Sequence, residues 1–129
     1  MIKKLWVLPC SLIGYLVLLF LGKEATLSIS GTHLYITKRM FSWADAITFG
    51  EVILVRDGAL CQRLINHETT HVWQYRKWGV LFFAIYLWGF IDNLIRFKDL
   101  EDAYWYIPFE VQARESESLQ DPDFLHMAF

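Results

Sequence analysis

The 129-residue sequence predicts an α+β fold: a small antiparallel sheet packed on a helix bearing H-E-x-x-H and on a later helix that starts near Glu110, with an apolar helix in front. Three observations predict it. Residues 26–38 alternate apolar and polar side chains, and residues 46–58 run β-branched and apolar. "INHETTHVWQ", residues 65–74, spaces His67 and His71 four apart. Residues 5–22 contain no charged side chain.

The first element is "LWVLPCSLIGYLVLLFLG", which follows Lys3 and Lys4. As a helix, its 18 residues extend about 27 Å, enough for a hydrocarbon core. A secretory signal has the same charged start, but its apolar stretch is shorter and small residues follow it. Here Gly22 is followed by Lys23-Glu24. A buried core helix is the third alternative. The sequence is read as a membrane anchor over residues 1–24 and a folded domain over 25–129. Lys3 and Lys4 argue for a cytoplasmic start, but Lys23, Lys38 and Arg39 weaken the asymmetry and leave orientation open.

"TLSISGTHLYITK", residues 26–38, alternates around "SGT", residues 30–32, and reads as a hairpin. "AITFGEVILVRDG", residues 46–58, reads as a strand with a bulge or close backbone approach at Gly50. Asp57-Gly58 ends it, and Asp57 can cap the helix expected over residues 59–78. Leu60, Leu64, Ile65, Val72 and Trp73 supply that helix's buried residues. Arg76 and Lys77 suit the negative end of its dipole, and Gly79 suits the position after it. "GVLFFAIYLWGFI", residues 79–91, is too short to cross a bilayer before Asp92 and reads as a core or interfacial helix. A loop then leads to Pro108, well placed in the first turn of a helix reaching about Ser118. "DPDFLHMAF" carries no interpretable pattern.

Composition narrows the function classes. Hydrophobic residues make up 55% and aromatic residues 17%, which predicts a dense core or contact with lipid. The net charge of −2 offers no basic surplus for a phosphate backbone, so nucleic acid is not an expected partner. Cys10 and Cys61 lie in unlike contexts and no disulfide is expected between them.

Two histidines four apart on a helix direct their rings to one point, and zinc favours such nitrogen donors in a tetrahedral shell. Glu68, beside the first, is placed to take a proton from water activated at the zinc and to return it to a leaving amine. The plainer alternative is two histidines on an amphipathic helix. A catalytic site needs a third protein ligand. His33, His126 and the later carboxylates are the candidates. Glu110 in "PFEVQARE" is preferred, because it opens a helix that can lie against the metal helix and Ala113 permits close packing. Its alternative role is a solvated glutamate favoured by the helix dipole. Glu115 and Glu117 read as a solvated face.

"HETTHVWQYRKWG" and "PFEVQAR", preceded by "AITFGEVILVRDG", resemble the gluzincin metallopeptidases, most closely their short members, the minigluzincins and related small bacterial HExxH proteins. The resemblance covers residues 46–115. It implies His67, His71 and Glu110 as zinc ligands, Glu68 as general base, and a preceding edge strand that binds substrate. Ile107 departs from it, standing where small relatives often carry Asn, which removes a polar cap. The resemblance also calls for an oxyanion-stabilising Tyr or His, with Tyr104 and Tyr106 as candidates beside an aromatic core or interfacial role. Asp92 is a candidate for orienting a ligand histidine, with an exposed helix cap as its alternative. Gln74 and Tyr75 are expected to pack around the helix end.

The function expected is zinc-dependent hydrolysis of peptides or proteins by a membrane-associated minimal metallopeptidase. A bacterial inner membrane is the expected location, through residues 5–22. An oligomer, a partner or the membrane surface is expected to complete so small a cleft. The alternatives are a non-catalytic, metal-stabilised module that binds a membrane or a partner, and a small membrane protein with structural histidines. Retention of Glu68 favours the enzyme, since a structural zinc site has no use for a base.

Overall fold

The structure, a computed structural model, describes residues 2–29 and 32–118. The elements run α1 (Ile2–Leu21), β1 (Lys23–Ile29), β2 (Thr32–Thr37), β3 (Ala46–Phe49), β4 (Val52–Arg56), α2 (Gln62–Trp78), α3 (Leu81–Phe97), α4 (Leu100–Trp105) and α5 (Pro108–Glu115). A single 3₁₀ turn, Ser116–Ser118, follows α5.

The α+β class holds, but the sheet is mixed, not antiparallel. Its order is β1-β2-β4-β3. β1 and β2 form the expected hairpin, with Leu27 opposite Leu34. β4 lies parallel to β2, with Leu34 opposite Ile53, and antiparallel to β3. The cause is the connection over residues 38–45. It carries the chain one strand's width past β2, so β3 forms the edge and β4 returns into the gap. Arg56 pins this loop by donating to the carbonyls of Phe41 at 2.8 Å and Ala44 at 2.7 Å.

Of the two expectations at Gly50, the bulge is absent and the close backbone approach, to Ser11 of α1, is present. Gly50 occupies the first position of a two-residue turn between Phe49 and Val52, with φ +63°. A glycine there matches the twist of the strands it joins. The turn also receives α1. A Cβ on Gly50 would lie 2.5 Å from the Ser11 nitrogen, and a Cβ on Gly14 would lie 2.7 Å from the Val52 Cβ. Glu51 N–H donates to Ser11 Oγ at 3.0 Å, which fixes the contact. α1 is therefore two-faced. Val7, Cys10, Leu18 and Leu21 are buried in the core, whereas Leu8, Leu12, Leu16 and Leu19 form an exposed stripe. Residues 1–24 thus include a helix whose inner face packs in the same core as the rest of the chain. Among the described residues, no single helix is long and apolar enough to cross a membrane.

α2 begins at Gln62, later than expected, and Cys61 rather than Asp57 occupies its N-cap, without a side-chain bond. Ala59 and Leu60 are used differently: they pack with Leu64 and Ile65 over the sheet residues Leu34, Ile53 and Val55. The helix buries mostly polar groups, Asn66, Glu68, Thr69, Thr70, His71 and Gln74, beside Val72 and Tyr75. Such a face is tolerated only when its groups are hydrogen-bonded. Gly79 ends α2 with φ +56° and donates to Tyr75 O at 2.6 Å, as its position predicts.

α3 is longer than the apolar run that predicted it, and only Phe82 is fully buried. Leu87, Trp88 and Ile95 face outward. The expected loop contains α4, which Asp99 caps by accepting from the amides of Glu101 and Asp102. Pro108 starts α5 as predicted. Ile107 provides no polar cap, but it is buried with Val7, Cys10, Tyr75, Phe82 and Phe109. An apolar anchor thus fixes the start of the helix that carries Glu110. Cys10 is buried and Cys61 exposed, and both are free.

Candidate metal centre

α2 and α5 lie side by side, with Ala113 fully buried. This sets the first turn of α5 against the middle of α2. His67, His71 and Glu110 each present a ligand atom there, all within 4.8 Å of one another. His67 Nε2 lies 3.0 Å from Glu110 Oε1, and His71 Nε2 lies 3.2 Å from Glu110 Oε2. The three expected ligands therefore meet.

The outer nitrogens of both rings are also engaged. Gln74 Nε2 donates to Phe109 O at 3.0 Å and to Gln112 Oε1 at 2.8 Å. Its carbonyl oxygen must then be the atom 2.8 Å from His71 Nδ1, so that nitrogen carries the proton. His67 Nδ1 lies 2.8 Å from Glu117 Oε2, and an ionised carboxylate only accepts, so Nδ1 is again the donor. Both Nε2 atoms are left to point inward. Two imidazole nitrogens and one carboxylate oxygen suit zinc with one position left for water. The donor set fits the metal.

Charge reinforces the grouping. Burial alone would lower the His71 pKa, but the hydrogen bond and charge of Glu110 outweigh it and raise it to about 9. His67 moves up in spite of burial, through its bond to Glu110. Burial would raise Glu110, yet the two histidines hold its carboxyl well below the usual carboxylate range. His71 Nε2 thus bears a proton toward Glu110 that a metal would displace, and His67 is shifted in the same direction.

Glu68 is buried, and its Oε2 accepts from the Thr48 hydroxyl at 2.6 Å. Thr48 lies on the edge strand β3, and the Tyr75 hydroxyl donates to its carbonyl at 3.1 Å. The carboxylate is thus fixed by the sheet beside a cavity of about 590 Å³. Glu68 and the three grouped residues are part of its lining. Ile47, Phe49, Phe83, Leu87 and Phe90 line it too. Phe82 stacks on Tyr75, with ring centroids 3.8 Å apart, and meets the His71 ring edge-on at 6.1 Å. That packing leaves His71 little room to turn.

Two phenols reach Glu110. Tyr86 donates to Oε2 at 2.8 Å and Tyr104 to Oε1 at 3.3 Å. Burial first, then the charge of Glu110, pushes both hydroxyls up, so they remain donors. Tyr104 is therefore at the site, whereas Tyr106 is exposed on the surface and stacks toward Phe97 at 5.1 Å.

Other expectations change. Asp92 pairs with Arg96 at 3.3 Å on α3 and touches neither histidine. Gln74 and Tyr75 are buried members of the site and do not merely pack around the helix end. Glu117 is in contact with His67 and is not solvated face. His33 is exposed on β2, outside the group, and His126 lies outside the described residues. Tyr86 and Glu117 are the residues sequence reasoning missed. Tyr86 was hidden in an apolar helix. Glu117 carried a usable signal: it lies seven residues after Glu110, two turns on along the same face.

No protein-family model, curated protein or solved structure matches this chain.

Proposed function

We propose that the chain is a membrane-associated zinc peptidase of the gluzincin type, with Glu68 as general base. The observation that carries the reading is the convergence of His67, His71 and Glu110 beside a fixed Glu68 in the wall of a largely apolar cavity. A structural zinc site would not need a buried carboxylate held at its side by Thr48.

His67, His71 and Glu110 would hold the zinc, which supplies a Lewis acid that acidifies water and polarises a carbonyl. Glu68 accepts the proton of the attacking water and passes it to the leaving nitrogen. Thr48 fixes the angle of the carboxylate through both transfers. Tyr86 and Tyr104 remain protonated and donate to Glu110; either one, on turning from Glu110 toward the substrate, would offer an O–H donor where negative charge grows on the carbonyl oxygen. β3 pairs with β4 on one side and lines the cavity, so its outer edge is suited to an extended peptide backbone. The apolar remainder of the cavity suits a bulky apolar side chain next to the scissile bond and disfavours a charged one. Association with a bacterial inner membrane through residues 5–22 belongs to the same reading. The exposed stripe Leu8, Leu12, Leu16 and Leu19 supports it. A second protein or another copy is the expected means of closing the open side of the cavity.

The test is Glu68→Gln. It keeps the shape and the acceptor for Thr48 but not the basicity. Zinc content and fold should be retained, while hydrolysis of casein or a peptide library falls by about 10²- to 10⁴-fold, the usual worth of a general base. Undiminished cleavage by the variant would overturn the assignment.

A further inference from the structure

The polar face of α2 holds more than the grouped ligands. Its first half grips the 3₁₀ turn Ser116–Ser118 that follows α5. Thr70, fully buried, donates to Ser116 Oγ at 2.7 Å, and Ser116 Oγ reaches Asn66 O at 3.0 Å. Asn66 Nδ2 donates to the Glu117 carbonyl at 3.4 Å, and Gln62 Nε2 holds the other end of the Asn66 side chain at 2.8 Å. The turn is thus fixed to α2 through both hydroxyl and main-chain contacts. It delivers one side chain to the site: Glu117 Oε2 at 2.8 Å from His67 Nδ1. Arg63, one helical turn before His67, holds the second carboxylate oxygen at 3.2 Å.

We infer that Glu117 is the positioning residue of His67. Its carboxylate keeps the proton on Nδ1 and the ring aimed at Glu110 and His71, so that Nε2 is presented to a metal. This rests on the metal-site reading above and goes beyond it, because the motif H-E-x-x-H and the glutamate of α5 do not by themselves set the ring angle of His67. The two histidines are held unequally. His71 is held by the neutral Gln74 amide and by the Phe82 ring, whereas His67 has a charged partner on a separate element. A carboxylate behind a ligand imidazole fixes its tautomer and raises its basicity, and loss of such a partner typically weakens metal binding 10- to 100-fold.

The experiment measures zinc affinity by chelator competition in the full chain, for wild type, Glu117→Gln and Glu117→Ala. Thermal unfolding of each metal-free protein is followed alongside. Glu117→Ala should weaken zinc binding 10- to 100-fold while the metal-free protein still unfolds in a cooperative transition. Glu117→Gln, which keeps an acceptor oxygen but no charge, should fall between. Nitrogen-15 spectra of the zinc-loaded protein give a readout that a merely structural role would not move. The His67 Nδ1 proton should be observed and slow to exchange in wild type, and lost to solvent in Glu117→Ala. If Glu117→Ala does not fold, Glu117→Gln carries the comparison through the affinity and the same proton. Wild-type affinity in both variants with an unchanged His67 spectrum overturns the inference and leaves the metal site standing. A wild type that binds no zinc overturns the metal site itself.

Discussion

Zinc uptake should be strongly coupled to proton release above neutral pH, where ordinary histidines have already lost their protons. In the metal-free protein His71 faces Glu110, which raises its pKa to about 9. Zinc binds only the neutral ring, so at pH 7 it must displace a proton whose removal costs roughly 3 kcal/mol, about two pH units. An ordinary histidine of pKa about 6.5 would cost only about 0.2 kcal/mol at that pH. Raising the pH from 7 to 8.5 should therefore strengthen apparent zinc binding roughly 25-fold through His71 alone, against less than twofold for an ordinary histidine. His67, raised in the same direction, adds to the gain. The metal-free protein should respond with the opposite sign. Its His71 pKa is raised above the unfolded value of about 6.5, so the stabilisation is fully present below that pH and lost as pH rises through about 9. Glu110 has a depressed pKa, so its share is present above the unfolded value of about 4.3 and lost as pH falls further. The assay is chelator competition across pH 6.5–9, paired with calorimetry in buffers of different ionisation enthalpy to count the protons released. An affinity that changes less than twofold between pH 7 and 8.5, with no proton released at pH 7, would refute the coupling of His71 to Glu110.

Two further changes probe the frame around the site. Gly50→Ala forces a Cβ to within 2.5 Å of the α1 backbone at a positive φ, and should cost about 2–4 kcal/mol in chemical denaturation, the scale of backbone strain with overpacking; an unchanged midpoint would show that α1 does not rest on the turn. Deleting residues 1–22 removes Val7, Cys10, Leu18 and Leu21 from the core. At about 1.5–3 kcal/mol for each large apolar side chain, that loss rivals the whole stability of a small domain, so the shortened chain should lose cooperative unfolding; a sharp transition would contradict the packing of α1.

The parts of this fold that were legible in the sequence are those with a local cause. Period-two alternation around "SGT" marked the first hairpin, Gly79 marked the end of α2, and Pro108 the start of α5. The grouping of His67, His71 and Glu110 was also legible, because helical spacing fixes two of them and a helix start presents the third. What escaped depends on contacts distant in sequence. The parallel pairing of β2 with β4 follows from where the loop over residues 38–45 crosses, which no residue pattern declares. The close backbone approach at Gly50 was legible, but the turn there was not, because Val52–Val55 is buried and apolar on both faces, which hides the break between β3 and β4. Glu117 looked solvated because Arg63, Asn66 and Thr70, which hold its turn in place, lie about 50 residues earlier.

The contact of α1 with the turn at Gly50 reaches further than packing. Ser11 touches that turn, the turn continues into β3, and Thr48 of β3 holds the carboxylate of Glu68. The opposite face of α1 is an uncharged row of leucines. That row is thus linked, through Ser11 and the turn, to the strand that holds the carboxylate of Glu68. In the peptidase reading proposed above, the detergent, lipid or protein on that row is therefore a variable of the rate measurement, and comparisons between preparations hold that medium constant.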